Sequence, residues 1–373
     1  MSKKFKVPFN YLQYEFKNPT KIFQNWKKLI KSTEFTLGPY VQKFENRFAK
    51  FVGSKFCIST NNGTDALILS LKALGIKKGD EVITVCNSFY ATTGAIIAVG
   101  AKPVFTDCDD RYQMKINQIE QLITKKTRAI IPVHWAGASP KMNQIIKIAK
   151  KNKIEVIEDA CMGIGGKCEN QHPGTFGIIG AFSMHPLKSL NAMGDGGMIV
   201  TNDSRIASWA LKFRNHGMVD RDHIDFWGVN MRLQPLQAVV GIEGLKKIKK
   251  TIIKRNRNAY YLDRGLKKIE PFVKTPNRLN NYTETFSLFM ILCHHRDKLQ
   301  KYLNSNGIET KIHYPIPLHL QKAAKKLGYK KGSFLNAESQ ARKLLSLPVH
   351  QFISLKQIKY MLKHINTFYK NNY

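Results

Sequence analysis

A lysine and an aspartate that each follow a short apolar segment are the residues of this chain best suited to chemistry. Lys188 comes after a predicted strand and just before the glycine cluster at 194–197. Upstream, a second apolar segment ends in acid at Asp159. A lysine amine can form a Schiff base with an aldehyde, and a carboxylate can hold a pyridinium nitrogen protonated. This pair is what an enzyme that uses pyridoxal 5'-phosphate requires.

Each of these two residues also has a simpler explanation. Most lysines are solvated surface charges, and Lys188 taken alone would be one of them. Asp159 is more informative, because carboxylates at the carboxyl ends of parallel strands face the crevice where α/β proteins bind ligands. A third compatible feature is needed to favour a cofactor site.

That third feature is a turn around Gly63, where a predicted strand stops and an amphipathic run that reaches Leu74 begins. Exposed backbone N–H groups and the helix dipole at such a turn can bind a phosphate, with the Thr64 hydroxyl as an additional donor. The alternative is that Asn62 or Thr64 simply caps the helix. Because three compatible features occur in one chain, we favour the phosphate site.

Seven apolar segments bounded by turn residues indicate the strands that would position these residues. Helical patterns separate most of the segments, and this alternation predicts an α/β fold with a mostly parallel sheet covered by helices on both faces. The predicted strands are 56–59, 81–86, 103–107, 129–134, 154–158, 181–184 and 197–201.

The length of 373 residues allows one large domain and a smaller one. A predicted helical stretch begins at Pro235, and Pro271 then marks a boundary. We predict a large cofactor-binding domain at 30–250 and a small C-terminal α/β domain with an antiparallel sheet at 251–373. Residues 1–29 are expected to pack on the small domain.

The chain is strongly basic, with a formal net charge of +34 from 60 lysines and arginines against 26 acidic residues. Such a charge is typical of proteins that bind nucleic acid or an anionic surface. The excess is mostly lysine, spread along helical stretches such as 245–250 without an arginine-rich arm. We therefore interpret it as a compositional bias and expect no nucleic-acid partner.

Six cysteines show no CxxC pair, and most of them fall in predicted apolar strands. Reduced core thiols explain this pattern better than a disulfide framework or a zinc site, so we expect no metal. The charged N-terminus has no apolar segment after it, and no run approaches the roughly 18 apolar residues that span a bilayer. We expect a cytoplasmic protein without a membrane partner.

Seven motifs of the chain resemble, in order and spacing, those of the DegT/DnrJ/EryC1/StrS family of sugar aminotransferases. The resemblance covers nearly the whole chain and implies the type I aminotransferase fold, with a seven-stranded, mostly parallel sheet in the large domain. It implies a homodimer with composite active sites that uses pyridoxal 5'-phosphate to move an amino group from L-glutamate to a keto sugar, for a surface polysaccharide or glycan. The motifs are 62–67, 79–84, 131–134, 158–160, 194–197, 230–233 and 313–319.

The resemblance also implies roles for individual residues. Lys188 would carry the cofactor and transfer the proton, and Asp159 would pair with the ring nitrogen. Phe89 would stack on the ring, although a core aromatic fits its spacing equally well. Asn230 would reach the cofactor phosphate of the neighbouring subunit. Further cofactor contacts are expected from Gly63, Thr64, Asp65, Met162 and Ser183.

Polar residues in the C-terminal third fall where the family presents groups to the sugar substrate. His313, Tyr314 and His319 are the candidates there, and a structural turn stabilised by the neighbouring prolines is the alternative for each. His185 is a fourth candidate for contact with the substrate. Two more histidines either line the pocket or are satisfied in the core: His134 and His216.

Two residues depart from the family pattern. Met162 stands where the family often has a glutamine near the phenolic oxygen of the cofactor, and a thioether cannot donate a hydrogen bond. We expect a shifted pH titration of the bound cofactor relative to relatives with glutamine. His185 replaces a more usual aromatic, in a form that resembles enzymes aminating a keto derivative of an eight-carbon 3-deoxy sugar acid. Nucleotide-linked keto-deoxyhexoses are the more common substrates.

Other functions stay open at this point. The same fold could act as a sugar dehydratase that uses pyridoxal 5'-phosphate, or as a regulator without catalysis. Dehydratases of the family replace the Schiff-base lysine with histidine, so the presence of Lys188 argues against the first. A basic nucleic-acid-binding protein is the third possibility, and it predicts salt-sensitive DNA binding and no visible chromophore.

Overall fold

Strands and helices alternate along residues 5–372, the part of the chain that this computed structural model describes. The strands are β1 Phe56–Thr60, β2 Glu81–Val85, β3 Lys102–Thr106, β4 Thr127–Ile131, β5 Glu155–Asp159, β6 Lys167–Cys168, β7 Ile179–Ser183, β8 Gly197–Thr201, β9 Val273–Lys274, β10 Tyr282–Thr283, β11 Phe289–Cys293 and β12 Leu344–Leu347. The α-helices are α1 Leu12–Glu15, α2 Thr20–Ser32, α3 Gly38–Val52, α4 Gly63–Ala73, α5 Tyr90–Ala98, α6 Ile119–Leu122, α7 Met142–Lys151, α8 Ser204–Phe213, α9 Pro235–Leu245, α10 Ile248–Leu266, α11 Arg296–Ser305, α12 Leu335–Lys343 and α13 Leu355–Asn372.

Seven strands form one sheet in the order β1-β8-β7-β5-β4-β2-β3. Strand β8 runs antiparallel to both of its neighbours, and the other pairs are parallel. The predicted mostly parallel seven-stranded sheet is therefore confirmed. Every residue of β2, β7 and β8 is buried, as expected for strands that helices cover on both faces.

Adjacent residues of the strands pack into different cores on the two faces of the sheet. Val82 packs with Leu67 of α4 and Ile96 of α5 on one face. Ile83, the next residue, belongs to a core on the opposite face. Because successive strand side chains point to opposite faces, the continuous apolar runs of the sequence build both cores at once.

One predicted strand ends earlier than its apolar run. The segment 129–134 is regular only in its first part, since β4 ends at Ile131. Pro132 has no N–H to donate to the ladder, although its carbonyl accepts from the Asp159 N–H at 3.0 Å. The backbone then passes beside the end of β5, where the His134 N–H donates to the Asp159 carbonyl at 2.9 Å.

The C-terminal part of the chain forms a three-stranded antiparallel sheet, ordered β12-β11-β9. Its core holds apolar residues of β11, α10 and α13, among them Phe289, Leu262 and Met361. Leu288 and Met290 join the core on the face of the large sheet that contains Ile83. The two parts are thus packed together, and the division at residue 250 stays a prediction.

The N-terminal segment lies on both parts of the molecule. Val7 pairs in parallel with Ile308 of the C-terminal part. Helix α2 instead packs on α9, where the Trp26 indole N–H donates to the Leu236 carbonyl at 3.0 Å. This differs from the expectation that all of residues 1–29 pack on the small domain; residues 1–4 of that segment lie outside the described residues.

Candidate active site

A cavity of about 260 Å³ lies where strands β5 and β7 end, between the large sheet and the C-terminal part. Carboxyl ends of parallel strands are where open α/β sheets bind ligands. Ten of the thirteen predicted site residues line this cavity: Gly63, Thr64, Phe89, Asp159, Met162, Ser183, His185, Lys188, His313 and Tyr314.

Lys188 follows β7 in a turn that is held from two directions. Its N–H donates to the His185 carbonyl at 2.8 Å, and its own carbonyl accepts from the Tyr11 hydroxyl at 2.9 Å. Burial lowers the pKa of the Lys188 amine, and the neighbouring Cys161 and Asp159 partly oppose that shift. The amine is therefore neutral more often than a surface lysine, as a nucleophile or base must be.

Asp159 is the last residue of β5 and is buried, with 5% of its surface exposed. One carboxylate oxygen, Oδ2, accepts from the Thr92 hydroxyl at 2.7 Å, and Oδ1 accepts from the Cys161 N–H at 3.2 Å. Thr92 in turn accepts from the Ser88 hydroxyl at 3.2 Å. These contacts fix the orientation of the carboxylate and leave lone pairs for a further donor.

The start of α4 meets the end of β7 at a distance that allows glycine alone. A Cβ added to Gly63 would lie 2.7 Å from the Ser183 Cβ and 3.0 Å from the Cys161 sulfur. The first N–H groups of a helix have no partner inside the helix, so those of Gly63 and Thr64 are available to an anion. The Ser183 hydroxyl oxygen accepts from the His185 N–H at 3.2 Å and keeps its own hydrogen to donate.

Asn62 does cap helix α4, but this cap leaves the first N–H groups of the helix available. Asn62 Oδ1 accepts from the Asp65 N–H at 2.8 Å, and Asn62 Nδ2 donates to the Asp65 carboxylate at 3.2 Å. Asp65 therefore belongs to the helix cap, and it does not line the cavity. The Thr64 hydroxyl does lie on the cavity wall.

Aromatic side chains cover one side of the cavity. The Phe89 ring is 45% exposed, which is inconsistent with the core alternative, and its centroid lies 6.0 Å from that of Tyr314. Tyr314 also contacts Trp135, with ring centroids 5.7 Å apart. Burial raises the pKa of the Tyr314 phenol to about 12, so it keeps its proton at neutral pH and can donate a hydrogen bond.

His313 lies across the cavity, on the C-terminal part. Its Nδ1 is 2.9 Å from the Ser346 hydroxyl, and its ring stacks on Phe9 at 5.8 Å between centroids. Burial and the charge of Lys188 lower the pKa of His313 to about 4. It is a neutral imidazole at working pH, and it can exchange hydrogen bonds with a polar substrate.

Four histidine and asparagine candidates lie outside this cavity. His319 is buried, with Nε2 3.0 Å from Glu338 Oε1, so the structural alternative describes it. His134 is fully buried between Glu158 and Ser139, as a satisfied core histidine is. The other two are His216 and Asn230. The backbone N–H of His216 donates to the Val229 carbonyl. Asn230 is exposed, and its side-chain oxygen accepts from the Arg232 guanidinium.

Sequence reasoning missed several residues of the site. Thr92 lies one helical turn after Phe89 and contacts the Asp159 carboxylate from behind the cavity wall. Tyr11 and Arg255 line the cavity although they are distant in sequence from Lys188, and no local pattern identifies them. Cys161 lies two residues after Asp159 and touches the same turn.

The arrangement fits a ligand that has a phosphate at one end and a basic ring nitrogen at the other. Gly63, Thr64 and Ser183 provide donors for the phosphate, and Asp159 provides the acceptor for a protonated ring nitrogen. The Lys188 amine lines the same cavity and can bind an aldehyde carbon. Pyridoxal 5'-phosphate has these three groups, so the residues present could hold it.

Residues 5–372 meet the requirements neither of a metal site nor of a membrane-spanning helix. No group of three or more histidine, cysteine or acidic side chains there is placed to hold a metal ion. None of the helices in that range combines the length and the apolar character that crossing a membrane requires. All six cysteines are free thiols.

Comparison with known proteins gives matches over nearly the full length. Residues 18–366 match the model of the DegT/DnrJ/EryC1/StrS aminotransferase family. A pleiotropic regulatory protein of Geobacillus stearothermophilus is 37% identical over 361 residues, which are 96% of this chain and 97% of that protein. A UDP-2-acetamido-2-deoxy-3-oxo-D-glucuronate aminotransferase of Pseudomonas aeruginosa is 35% identical over 343 residues, 91% and 93% of the two chains.

Solved structures have the same fold. The crystal structure of NtdA from Bacillus subtilis, with bound cofactor PMP, superposes with a TM-score of 0.90 at 29% identity. The match covers 99% of this chain and 86% of that one. The predicted type I aminotransferase fold is confirmed by these structural matches.

Proposed function

Because this chain belongs to the DegT/DnrJ/EryC1/StrS aminotransferase family, we propose that it transfers an amino group from L-glutamate to a keto sugar with pyridoxal 5'-phosphate as cofactor. The observation that carries the proposal is the single cavity that joins the Lys188 amine, the Asp159 carboxylate and the Gly63 turn. The bound PMP of the NtdA structure supports the cofactor.

Four residues of this chain would divide the chemistry. Bound pyridoxal 5'-phosphate supplies an aldehyde carbon and an electron-accepting ring. Lys188 Nζ, with its lowered pKa, would hold the cofactor through its aldehyde carbon, with loss of water, and once released would act as the base that moves the proton. Asp159 holds the proton on the ring nitrogen, while Thr92 keeps the carboxylate in place. Phe89, which is exposed on the cavity wall, would cover a face of the ring.

The keto sugar is supported by the relative from Pseudomonas aeruginosa, whose name gives a UDP-linked 3-oxo sugar acid as its substrate. His313 and Tyr314 line the part of the cavity that belongs to the C-terminal part, and His185 lies beside Lys188. All three carry polar atoms for sugar hydroxyls. The product would be an amino sugar for a surface polysaccharide or glycan.

A homodimer with composite sites is part of the proposal. The loop between α8 and α9 exposes apolar side chains: Val219 is 54% exposed, Ile224 45% and Trp227 88%. An exposed apolar patch of this kind is typical of a surface that a partner covers. Asn230, at the end of the same loop, would then approach the phosphate of the neighbouring subunit.

The six free thiols fit the reducing cytoplasm.

A regulator without catalysis is the second candidate, and the name of the Geobacillus stearothermophilus relative favours it. Lys188 distinguishes the two, because a regulator needs no buried lysine with a lowered pKa beside Asp159.

The test is incubation of the purified protein with pyridoxal 5'-phosphate, L-glutamate and a panel of UDP- and dTDP-linked keto sugars, followed by mass spectrometry. We expect a Lys188-dependent amino sugar from at least one of them. Lys188→Ala should abolish the product, and Lys254→Ala, which removes an exposed lysine of α10, should not. A product that persists in Lys188→Ala, or no product from any keto sugar, would contradict the proposal.

A further inference from the structure

Arg255 is a buried cation on the wall of the active-site cavity. It lies on α10, is 1% exposed, and lines the same cavity as Lys188. The proposed cofactor contacts do not use it. The cost of burying a guanidinium is large unless an anion or a full set of acceptors compensates it.

The partners of Arg255 are all neutral. Its Nε donates to the Gln351 side-chain oxygen at 3.0 Å, Nη1 donates to the Phe286 carbonyl at 3.1 Å, and Nη2 donates to the Tyr11 hydroxyl at 2.9 Å. The Tyr11 ring also lies 5.2 Å from the guanidinium carbon. Glu15 is linked to this group through Gln351 and not directly.

Other buried arginines of the described chain are treated differently. Each of them has an acidic partner: Arg111 with Glu284 at 3.6 Å, Arg214 with Glu45, and Arg296 with Asp297 at 2.6 Å. Arg255 is more deeply buried than these three and forms no salt bridge within residues 5–372. Its positive charge is therefore uncompensated beside a cavity.

The guanidinium has the geometry to accept an anion from the cavity. Five N–H groups are available and three are used, so the two terminal nitrogens each keep one N–H that can donate to a carboxylate. Tyr11 joins Arg255 to the Lys188 carbonyl through two hydrogen bonds of 2.9 Å each. The phosphate donors are at the start of α4, whereas Arg255 is on α10. A carboxylate bound to Arg255 would therefore belong to the substrate and not to the cofactor phosphate.

We propose that Arg255 binds a carboxylate of the substrate and makes this enzyme selective for carboxylate-bearing substrates. This inference rests on the proposed function, because it assigns the cavity to an amino donor and a keto sugar. Two sources share the chemistry: the amino donor L-glutamate and a sugar acid. His313 and His350 line the same region and are neutral at working pH, with pKa values that burial lowers to about 4. Neither histidine supplies a counter-charge for the carboxylate, whereas Arg255 does.

The test measures binding by calorimetry to the cofactor-loaded protein and needs no turnover. Glutarate is compared with its uncharged diamide, glutaramide, and UDP-glucuronate is compared with UDP-glucose. In at least one pair we expect the wild type to bind the carboxylate about ten-fold or more tightly, as for a hydrogen-bonded charge. Arg255→Gln should remove that preference. A preference in the first pair identifies the donor as the source, and one in the second pair identifies a sugar acid.

Two further variants separate ligand binding from a structural role. Arg257→Gln removes the same charge from an exposed position on α10 and should leave both preferences unchanged. Tyr11→Phe removes the link to Lys188 but keeps the guanidinium, so it should keep the carboxylate preference within about two-fold. Thermal melting verifies that each variant is folded. Should Arg255→Gln fail to fold, Arg255→Lys is used, which keeps the charge and loses the fork, and it should weaken the preference.

Three results would overturn the inference: no carboxylate preference in either pair, an unchanged preference in folded Arg255→Gln, or an equal loss in Tyr11→Phe. A failure of the proposed function looks different. An Arg255-dependent preference in a protein whose visible absorption L-glutamate leaves unchanged would keep the carboxylate site and reject the donor.

Discussion

At the scale of single residues, the site depends on how Lys188 and Asp159 are held. Both residue types and their positions after strands could be inferred from the sequence. Thr92 and Tyr11, which orient them, could not be identified, because a hydroxyl-bearing side chain has no pattern that distinguishes a second contact from an ordinary helix or surface position. The pair therefore indicated the chemistry, and the structure adds the groups that orient it.

Replacing Thr92 by valine should weaken binding of pyridoxal 5'-phosphate. The change removes the 2.7 Å hydrogen bond to Asp159 Oδ2, and a lost bond to a buried charge corresponds to about 1.5–3 kcal/mol, or roughly ten- to hundred-fold in affinity. Thr93→Val is the matched control, because the Thr93 hydroxyl has no hydrogen-bond partner in the structure described. Fluorescence titration of the cofactor-free protein measures both. Equal affinities of the two variants would reject the role of Thr92.

Met162→Gln restores the glutamine that the family often has at this position, and it tests the predicted shift in the pH titration of the bound cofactor. The Met162 carbonyl is fixed by the Thr285 and Ser287 hydroxyls at 2.6 and 3.1 Å, so a glutamine side chain would start from the same place. An amide N–H that reaches the phenolic oxygen stabilises its ionised form. The pH midpoint of the visible band should fall by about 0.7 unit, as for a hydrogen bond of about 1 kcal/mol. An unchanged midpoint would show that another donor already serves that oxygen.

At the scale of elements, the seven strands of the large sheet could be predicted because apolar runs bounded by turns reflect burial on both faces. The path of residues 20–32 could not, since the apolar stripe of a helix does not say which neighbour covers it. The family resemblance implies a cofactor contact for Asp65, whereas its N–H and its carboxylate both pair with Asn62 in the cap of α4.

Gly63→Ala tests the contact between α4 and β7. The added Cβ would lie 2.7 Å from the Ser183 Cβ, so the two elements must separate. We expect a loss of about 1–3 kcal/mol in the free energy of unfolding, together with weaker cofactor binding. Gly94→Ala, where a Cβ meets open space on α5, should be neutral or up to about 1 kcal/mol more stable. Chemical denaturation compares them, and a neutral Gly63→Ala would contradict the close approach.

At the scale of the whole molecule, acid should destabilise the fold. Burial lowers the pKa of His172, His313 and His350 to about 4, from an ordinary value of 6.5. Between those values the unfolded chain binds protons that the folded chain does not. Stability is therefore present above pH 6.5 and is lost as the pH falls toward 4, by roughly 2–3 kcal/mol for each histidine between pH 7 and pH 4.5. Urea denaturation at pH 7 and pH 4.5 measures the loss, and equal stabilities would contradict neutral buried histidines.

The net charge of +34 is interpreted from the sequence as a compositional bias. The structure distinguishes one of these cations, Arg255, from the rest. Most of the 60 lysines and arginines cannot be told apart in the sequence. Arg255 differs from them by its burial and by its neutral partners, and these are properties of the folded chain alone.

The absorption spectrum of the purified protein with pyridoxal 5'-phosphate, before and after an excess of L-glutamate, tests the central claim most directly. We expect a visible band that depends on Lys188 and that L-glutamate converts to near-ultraviolet absorption, because the amino group has passed to the cofactor. Lys188→Ala should show neither the stable band nor the conversion. A wild-type protein without a chromophore, or with one that L-glutamate leaves unchanged, would contradict amino transfer from this donor.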